Sequence, residues 1–107
     1  MNQNTLTRLE ATIRARRRAD PSTSYVANLH AAGRSRIAQK LGEEALETVI
    51  AATADDRAAV TAEAADLVFH LAVLLADMDL SFADVLAELD RRDGVSGIEE
   101  KAGRQGD

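Results

Sequence analysis

Apolar side chains recur at helical spacing along most of the chain, and capping residues divide them into separate predicted helices. Leu6, Leu9 and Ile13 form a first apolar stripe. Thr7, with a glutamate three residues later, fits a capping box at the start of this helix. The helix should end before the loop signal DPSTS at residues 20–24. No stretch alternates with a period of two, so no strand is predicted.

Four further helices follow, each bounded by a capping residue or a glycine. Ser24 caps a short helix, YVANLHAA, which Gly33 closes. Ser81, with an aspartate three residues on, fits a second capping box. The other predicted bounds are Ser35 to Thr53 for the third helix, Asp55 or Asp56 to Met78 for the fourth, and Ser81 to Arg91 for the fifth.

The composition agrees with an all-α fold. A chain of 107 residues is enough for one domain. It is 46% hydrophobic with 3% aromatic residues and a single Pro, which favours a helical bundle over a sandwich or barrel. We therefore expect one domain over residues 1–107, a bundle of about five helices, with a Gly-rich charged tail at residues 93–107 that is loop or a short frayed helix.

Charge and cysteine content exclude several classes of function. The net charge of −5 argues against general nucleic-acid binding. The basic run RARRR, from Arg14 to Arg18, is an exception, and a solvated helix end is favoured over a phosphate contact. Without Cys, disulfides and thiolate metal sites are excluded. We expect no membrane span, and a start without a signal pattern predicts a cytoplasmic protein.

The third predicted helix concentrates its charge in one narrow stripe. Viewed down the helix axis, five charged side chains fall within a sector of about 100°, and apolar residues lie on both sides of that sector. Acids three and four residues apart repel each other by a few tenths of a kcal/mol per pair. The stripe consists of Arg36, Lys40, Glu43, Glu44 and Glu47.

The fourth helix carries a second acidic stripe within an apolar segment, EAADLVFHLAVLLADM. Such a segment is typical of a buried helix. Glu63 and Asp66 repeat the three-residue spacing of the acids on the third helix, and His70 and Asp77 share their stripe. Carboxylates near a core need a raised pKa, paired cations or a bound metal ion. Oxygen ligands without Cys suit Mg²⁺ or Mn²⁺ better than Zn²⁺, and Mg²⁺ commonly completes its shell with substrate phosphates.

These same residues resemble a known family. GEEALE followed by EAADLVFHL is similar to the E-E-x-x-E … E-x-x-D signature of the all-α nucleotide pyrophosphohydrolase superfamily. The segments SYVANLHAAGRSRIAQKLGEEALETVIAA, EAADLVFHLAVLL and SGIEEKAGR narrow the resemblance to the phosphoribosyl-ATP pyrophosphohydrolases of histidine biosynthesis. One departure is Val26, where the family often has Thr after Ser-Tyr, so this position has no side-chain hydroxyl.

The resemblance implies Mg²⁺-dependent hydrolysis of phosphoribosyl-ATP to phosphoribosyl-AMP and pyrophosphate, the second step of the histidine pathway. It also implies a homodimer in which both subunits complete the helical core. The cyclohydrolase that acts next is expected to be a separate protein, because this chain is too short to include it.

The resemblance also implies roles for single residues. Glu44, Glu47, Glu63 and Asp66 match the motif's metal ligands. Catalytic roles are expected for Glu43, Glu44 and Glu47, with Glu43 either binding a second ion or taking a proton from the attacking water. Substrate-binding candidates are Lys40, Arg36, Tyr25, Lys101 and Arg104, the last two only if the tail folds over the site.

Several of these residues also have structural interpretations. Lys40 could simply pair with Glu44, and Tyr25 either stacks on adenine or fills core. His70 is better explained by a structural hydrogen bond to Asp66 or another carbonyl than as a metal ligand. Gly42, opposite the acids, indicates close helix packing, because a helix glycine costs about 1 kcal/mol.

Two other functions stay open on the sequence alone. The acids could serve a pyrophosphohydrolase for another nucleotide, such as a surplus or damaged dNTP. Alternatively, the chain is a non-enzymatic helical dimerisation module whose acids pair with Arg across an interface. Glu43 and Glu44 could then form an ordinary solvated face, and Asp66 a structural ion pair.

Overall fold

The computed structural model describes the backbone of residues 2–95 and the side chains of residues 5–95. It has five helices and, in this part of the chain, no strand, which confirms the predicted all-α class. The helices are α1 (Asn2–Arg16), α2 (Tyr25–Ala32), α3 (Arg34–Thr53), α4 (Arg57–Asp77) and α5 (Phe82–Arg92).

The predicted capping residues begin three of these helices. The backbone N–H of Ala27 donates to Ser24 Oγ at 3.2 Å at the start of α2. The N–H of Ala59 donates to Asp56 Oδ1 at 3.0 Å at the start of α4, which decides between the two candidate aspartates. At α5, the N–H of Ser81 donates to an Asp84 carboxylate oxygen at 2.9 Å. Each bond satisfies an N–H group that the helix itself leaves unpaired.

The predicted start of α1 is wrong. The helix begins at Asn2, so Thr7 lies inside it and is not its capping residue. The segment NQNT before the apolar stripe contains no Pro or Gly that would interrupt a helix, so the helix extends past Thr7 toward the N-terminus.

The core forms where α1, α2 and α3 meet the second half of α4. The most extensive helix contact is between α3 and α4, and α1 also packs on α4. Ile13, Leu29 and Ile37 are at most 1% exposed, and they come from α1, α2 and α3 respectively. Burial along α4 is confined to the stretch from His70 to Ala76. The expectation that α4 is buried along its length is therefore wrong for the single chain, because its first half is covered on one side only.

A set of large apolar side chains is exposed on α3, α4 and α5. On α5, Phe82 is buried and Val85 packs partly against the core, while leucines on the same helix face solvent. By length and composition alone, α4 would pass as a membrane-crossing helix; a single such helix is a weak indication, because core helices of soluble proteins pass the same test. The exposed apolar side chains on the three helices are Leu46, Val49, Ile50, Val68, Leu86 and Leu89.

Gly42 does not serve close packing within this chain. A Cβ placed at Gly42 meets no atom within 4 Å, so the predicted close helix approach is wrong for the contacts between the chain's own helices.

Candidate metal centre

The packing of α3 against α4 brings three acids together. Glu44 on α3 and Glu63 and Asp66 on α4 each offer a carboxylate oxygen, and these oxygens lie within 4.8 Å of one another. Asp66 follows Glu63 by three residues, so both face the same neighbour across the helix contact. Glu44 and Glu63 are partly buried and Asp66 is exposed. The cluster therefore sits at the edge of the helix pair, where a ligand can reach it.

Partial burial and the neighbouring acids act together on the pKa of Glu63. Partial burial raises the pKa of the Glu63 carboxyl, and the charges of Asp66, Glu44 and Glu47 raise it further. A hydrogen bond with the Glu44 side chain acts in the same direction. Glu47 is thus within electrostatic reach of the cluster, although it is not among the three acids that converge. All these influences favour the protonated form or a bound cation.

Glu43 stands apart from this cluster, among cations. Lys40 Nζ donates to Glu43 Oε1 at 3.2 Å and Gln39 donates to Glu43 Oε2 at 3.0 Å, while Arg36 Nη1 lies 3.9 Å from the same carboxylate. Chiefly through the Lys40 hydrogen bond, the pKa of Glu43 is lowered. Lys40 reaches Glu44 only at 4.0 Å, so its main partner is Glu43. The two predicted cations on α3 are thus engaged mainly with Glu43, which lies outside the cluster.

His70 links Tyr25 to the backbone of an acid in the cluster. Its Nδ1 lies 2.7 Å from the carbonyl oxygen of Asp66, and its Nε2 lies 2.7 Å from the Tyr25 hydroxyl. A carbonyl only accepts, so Nδ1 carries the proton, and in the tautomer with its single proton on Nδ1 the Nε2 atom accepts from the Tyr25 hydroxyl. His70 is 5% exposed. This arrangement matches the structural interpretation of His70.

Tyr25 is half exposed, and Phe69 supports its ring. The ring centroids of Tyr25 and Phe69 are 6.1 Å apart with the planes inclined by 23°. Tyr25 is 48% exposed, so it does not simply fill core. Phe69 was not among the predicted site residues, although its position next to His70 in the sequence LVFHL was a usable signal.

The remaining predicted polar residues lie elsewhere. Asp77 belongs to the stripe of α4 by sequence, but its carboxylate accepts from Arg34 Nε at 2.9 Å and lies 3.6 Å from His30 Nδ1. It therefore ties the end of α4 to the α2–α3 junction, and it does not join the acid cluster. Lys101 and Arg104 lie outside the described residues, as does most of the predicted tail.

The donor set of the cluster fits a hard divalent cation. Mg²⁺ binds oxygen at about 2.1 Å, so two of its ligands lie at most about 4.2 Å apart. Three carboxylate oxygens within 4.8 Å need only small side-chain adjustments to meet that limit. The residues that could hold such an ion are Glu44, Glu63 and Asp66, with Glu47 beside them.

Comparison with known proteins identifies the family. The family model described as phosphoribosyl-ATP pyrophosphohydrolase matches residues 6–93, which include all four acids. A protein of Rhizorhabdus wittichii is 71% identical over 94% of both chains. A protein of Novosphingobium aromaticivorans is 65% identical over 92% of both, and one of Zymomonas mobilis is 57% identical over 97% of both. All three relatives are named phosphoribosyl-ATP pyrophosphatase. The chain is therefore a hydrolase, and it belongs to the phosphoribosyl-ATP pyrophosphohydrolase family.

Proposed function

We propose that this enzyme hydrolyses phosphoribosyl-ATP to phosphoribosyl-AMP and pyrophosphate in histidine biosynthesis, and that the reaction depends on Mg²⁺. The names of the relatives support the substrate. The observation that carries the metal dependence is the convergence of Glu44, Glu63 and Asp66. The enzyme acts in the cytoplasm on a small nucleotide, and a separate cyclohydrolase takes the product.

In this proposal, different residues of the chain bind the metal ion and the substrate phosphates. Glu44, Glu63 and Asp66 hold Mg²⁺ or Mn²⁺, with Glu47 as a further ligand. When bound, the ion neutralises charge on the phosphate oxygens and orients the leaving pyrophosphate. Lys40, beside the cluster, supplies a positive charge for the same phosphates.

Water is the attacking group in this proposal, and a carboxylate accepts its proton. A lowered pKa makes Glu43 a weak base and its hydrogen bonds hold it near Lys40, so it is the poorest candidate. Glu47 is exposed next to the acid cluster, so a Glu47 carboxylate oxygen that does not bind the ion is better placed to take the proton. The reaction needs no covalent intermediate, because in phosphoryl transfer the protein mainly positions the reactants and stabilises charge.

A homodimer is part of the same proposal. The exposed side chains of Leu46, Val49 and Ile50 lie on α3, and Leu86 and Leu89 lie on α5. Large exposed apolar patches mark interaction sites in soluble proteins. A second copy of the chain that covered them would complete the core. Sedimentation analysis tests this: an Ile50→Asp variant should shift the protein toward monomer, and a wild type that sediments as a monomer would exclude the dimer.

The deciding experiment measures pyrophosphate release from phosphoribosyl-ATP in Mg²⁺, beside ATP and a panel of dNTPs. Phosphoribosyl-ATP should be the preferred substrate, EDTA should stop the reaction, and added Mg²⁺ should restore it. Turnover of a dNTP instead would mean that the substrate is another nucleotide. Turnover that is insensitive to EDTA would refute the metal mechanism.

Matched variants connect the activity to the cluster. Asp66→Asn and Glu63→Gln should lower kcat by more than the roughly 10- to 100-fold that loss of an outer-shell partner costs. Asp90→Asn, an exposed acid on α5, serves as the control and should leave activity unchanged. Circular dichroism should show helical content equal to that of the wild type in all three. Near-normal turnover of either cluster variant would place the metal site elsewhere.

A further inference from the structure

A cleft opens between the end of α1, the loop after it and the start of α2. Its volume is about 310 Å³. That lies at the low end of the range for small-molecule sites, roughly 300 to 1,000 Å³. The cleft combines a cation, three aliphatic hydroxyl groups and two aromatic rings, which belong to Arg16, Thr12, Thr23, Ser24, Tyr25 and Phe69.

In the basic run at the end of α1, Arg14 and Arg17 form side-chain hydrogen bonds to other parts of the fold, whereas Arg16 forms none within the described part of the chain. Arg17 donates to the carbonyl oxygen of Ala76 at 3.0 Å, and Arg14 donates to that of Leu80 at 3.0 Å. Both bonds fasten α1 to the end of α4. Arg16 lines the cleft, and within residues 5–95 its guanidinium has no carboxylate or hydrogen-bond partner. It is permanently charged and its planar fork matches a phosphate group.

Two hydroxyl groups of the cleft can still form hydrogen bonds with a ligand. Ser24 Oγ accepts from the N–H of Ala27, which leaves its own proton to donate. Thr23 Oγ1 donates to the carbonyl oxygen of Asp20, which leaves its lone pairs to accept. A phosphorylated sugar presents the matching chemistry, with an anionic end for the guanidinium and hydroxyls that both donate and accept.

Tyr25 connects the cleft to the acid cluster. Its ring forms one wall of the cleft, and its hydroxyl bonds to His70, which in turn bonds to the carbonyl oxygen of Asp66. A molecule with a polyphosphate at one end and a second phosphate at the other carries one group suited to the acid cluster and one suited to the cleft.

We infer that the cleft receives the phosphoribosyl group of the substrate, with Arg16 paired to its phosphate and Tyr25 beside the base. This assignment rests on the proposed function, because that group is what distinguishes phosphoribosyl-ATP from ATP. Arg16 thereby becomes a specificity-determining residue, remote from the bond that is cleaved.

Calorimetric titration with phosphoribosyl-AMP and with AMP tests the assignment directly. The wild type should bind phosphoribosyl-AMP more tightly than AMP. Arg16→Gln should weaken phosphoribosyl-AMP binding roughly 10- to 100-fold, as expected for lost hydrogen bonds between charged groups, and leave AMP binding unchanged. Arg18→Gln is the matched control from the same basic run and should change neither. In turnover, Arg16→Gln should raise KM for phosphoribosyl-ATP with little change in kcat.

The possible failures are distinguishable. If the wild type does not hydrolyse phosphoribosyl-ATP, the proposed function itself is wrong. If it does, and Arg16→Gln keeps the wild-type preference for phosphoribosyl-AMP over AMP, only the cleft assignment is wrong. An equal loss for both ligands would also overturn it. Should Arg16→Gln melt below the wild type, Thr12→Val tests the same cleft from one turn earlier on α1, and an unchanged preference there would count against the assignment.

Discussion

Replacing Tyr25 by Phe removes one hydroxyl group and keeps the aromatic ring. The hydroxyl is 2.7 Å from His70 Nε2, and His70 is 5% exposed. A neutral hydrogen bond contributes about 0.5 to 1.5 kcal/mol, whereas a buried acceptor without a partner costs about 1 to 3 kcal/mol. Tyr25 is half exposed, so water can reach part of the space that the hydroxyl leaves. We therefore expect a loss in unfolding free energy of about 1 to 2 kcal/mol.

Thermal and urea unfolding at one fixed protein concentration measure this loss. For a chain of this size, about 4 °C of melting temperature corresponds to 1 kcal/mol, so Tyr25→Phe should melt about 4 to 8 °C below the wild type. A double-mutant cycle with His70→Leu isolates the pair, and the effect of Tyr25→Phe should be much smaller in that background. A Tyr25→Phe variant as stable as the wild type, or equally destabilised with and without His70, would refute the reasoning.

Three further predictions concern stability. In the background of the monomeric Ile50→Asp variant, Gly42→Ala should raise the unfolding free energy by about 1 kcal/mol in urea titration, because Ala is the better helix former and its Cβ meets no atom of the same chain within 4 Å; a loss in that background would contradict the open space beside Gly42. Ile37→Ala should lower it by about 2 to 5 kcal/mol, since Ile37 is fully buried; a smaller effect would contradict its place in the core. Hydrogen bonds from Arg91 and Arg92 lower the pKa of Glu88 from 4.5 to about 2. The folded state therefore gains stability from Glu88 above pH 4.5 and loses it as the pH falls toward 2, so melting curves of Glu88→Gln and the wild type should differ at pH 6 and converge at low pH; a constant difference would exclude this linkage.

Helix positions were predictable because their signals are local. A capping side chain bonds to a backbone N–H two or three residues away, so Ser24, Asp56 and Ser81 carry their information within one turn. The same reasoning failed at Thr7, where the capping pattern is present but nothing before it stops the helix. A capping motif therefore predicts a helix start only when the residues before it also favour a break.

The acid cluster was only partly predictable, because helix spacing fixes which residues share a face but not which faces meet. Three-residue spacing singled out the acids on both helices, and the structure brings Glu44, Glu63 and Asp66 together. Spacing could not predict that Glu44 joins the cluster while Glu43 pairs with Lys40 on another side of α3. It also could not reveal that Asp77 pairs with Arg34, since that contact depends on where α2 ends and α3 begins.

The distribution of cations bears on how the cluster is neutralised. Arg36 and Lys40 lie within 4.0 Å of Glu43, and Lys40 just reaches Glu44. In the described part of the chain, no arginine or lysine forms an ion pair with Glu47, Glu63 or Asp66. An interface module built on acids paired with Arg would need those cations from a partner chain.

Two other means remain to neutralise Glu63 and Asp66, namely a shared proton or an added cation. The raised pKa of Glu63 shows that the ion-free cluster binds a proton more readily than an isolated glutamate does. A proton relieves the repulsion at only one carboxylate, whereas a divalent ion attracts every acid in the cluster at once. Because an ion that binds only the folded protein also stabilises it, Mg²⁺ should raise the melting temperature of the wild type more than that of Glu63→Gln. Equal shifts in the two proteins would mean that the ion binds elsewhere, and the repulsion within the cluster would then have to be relieved by protonation alone.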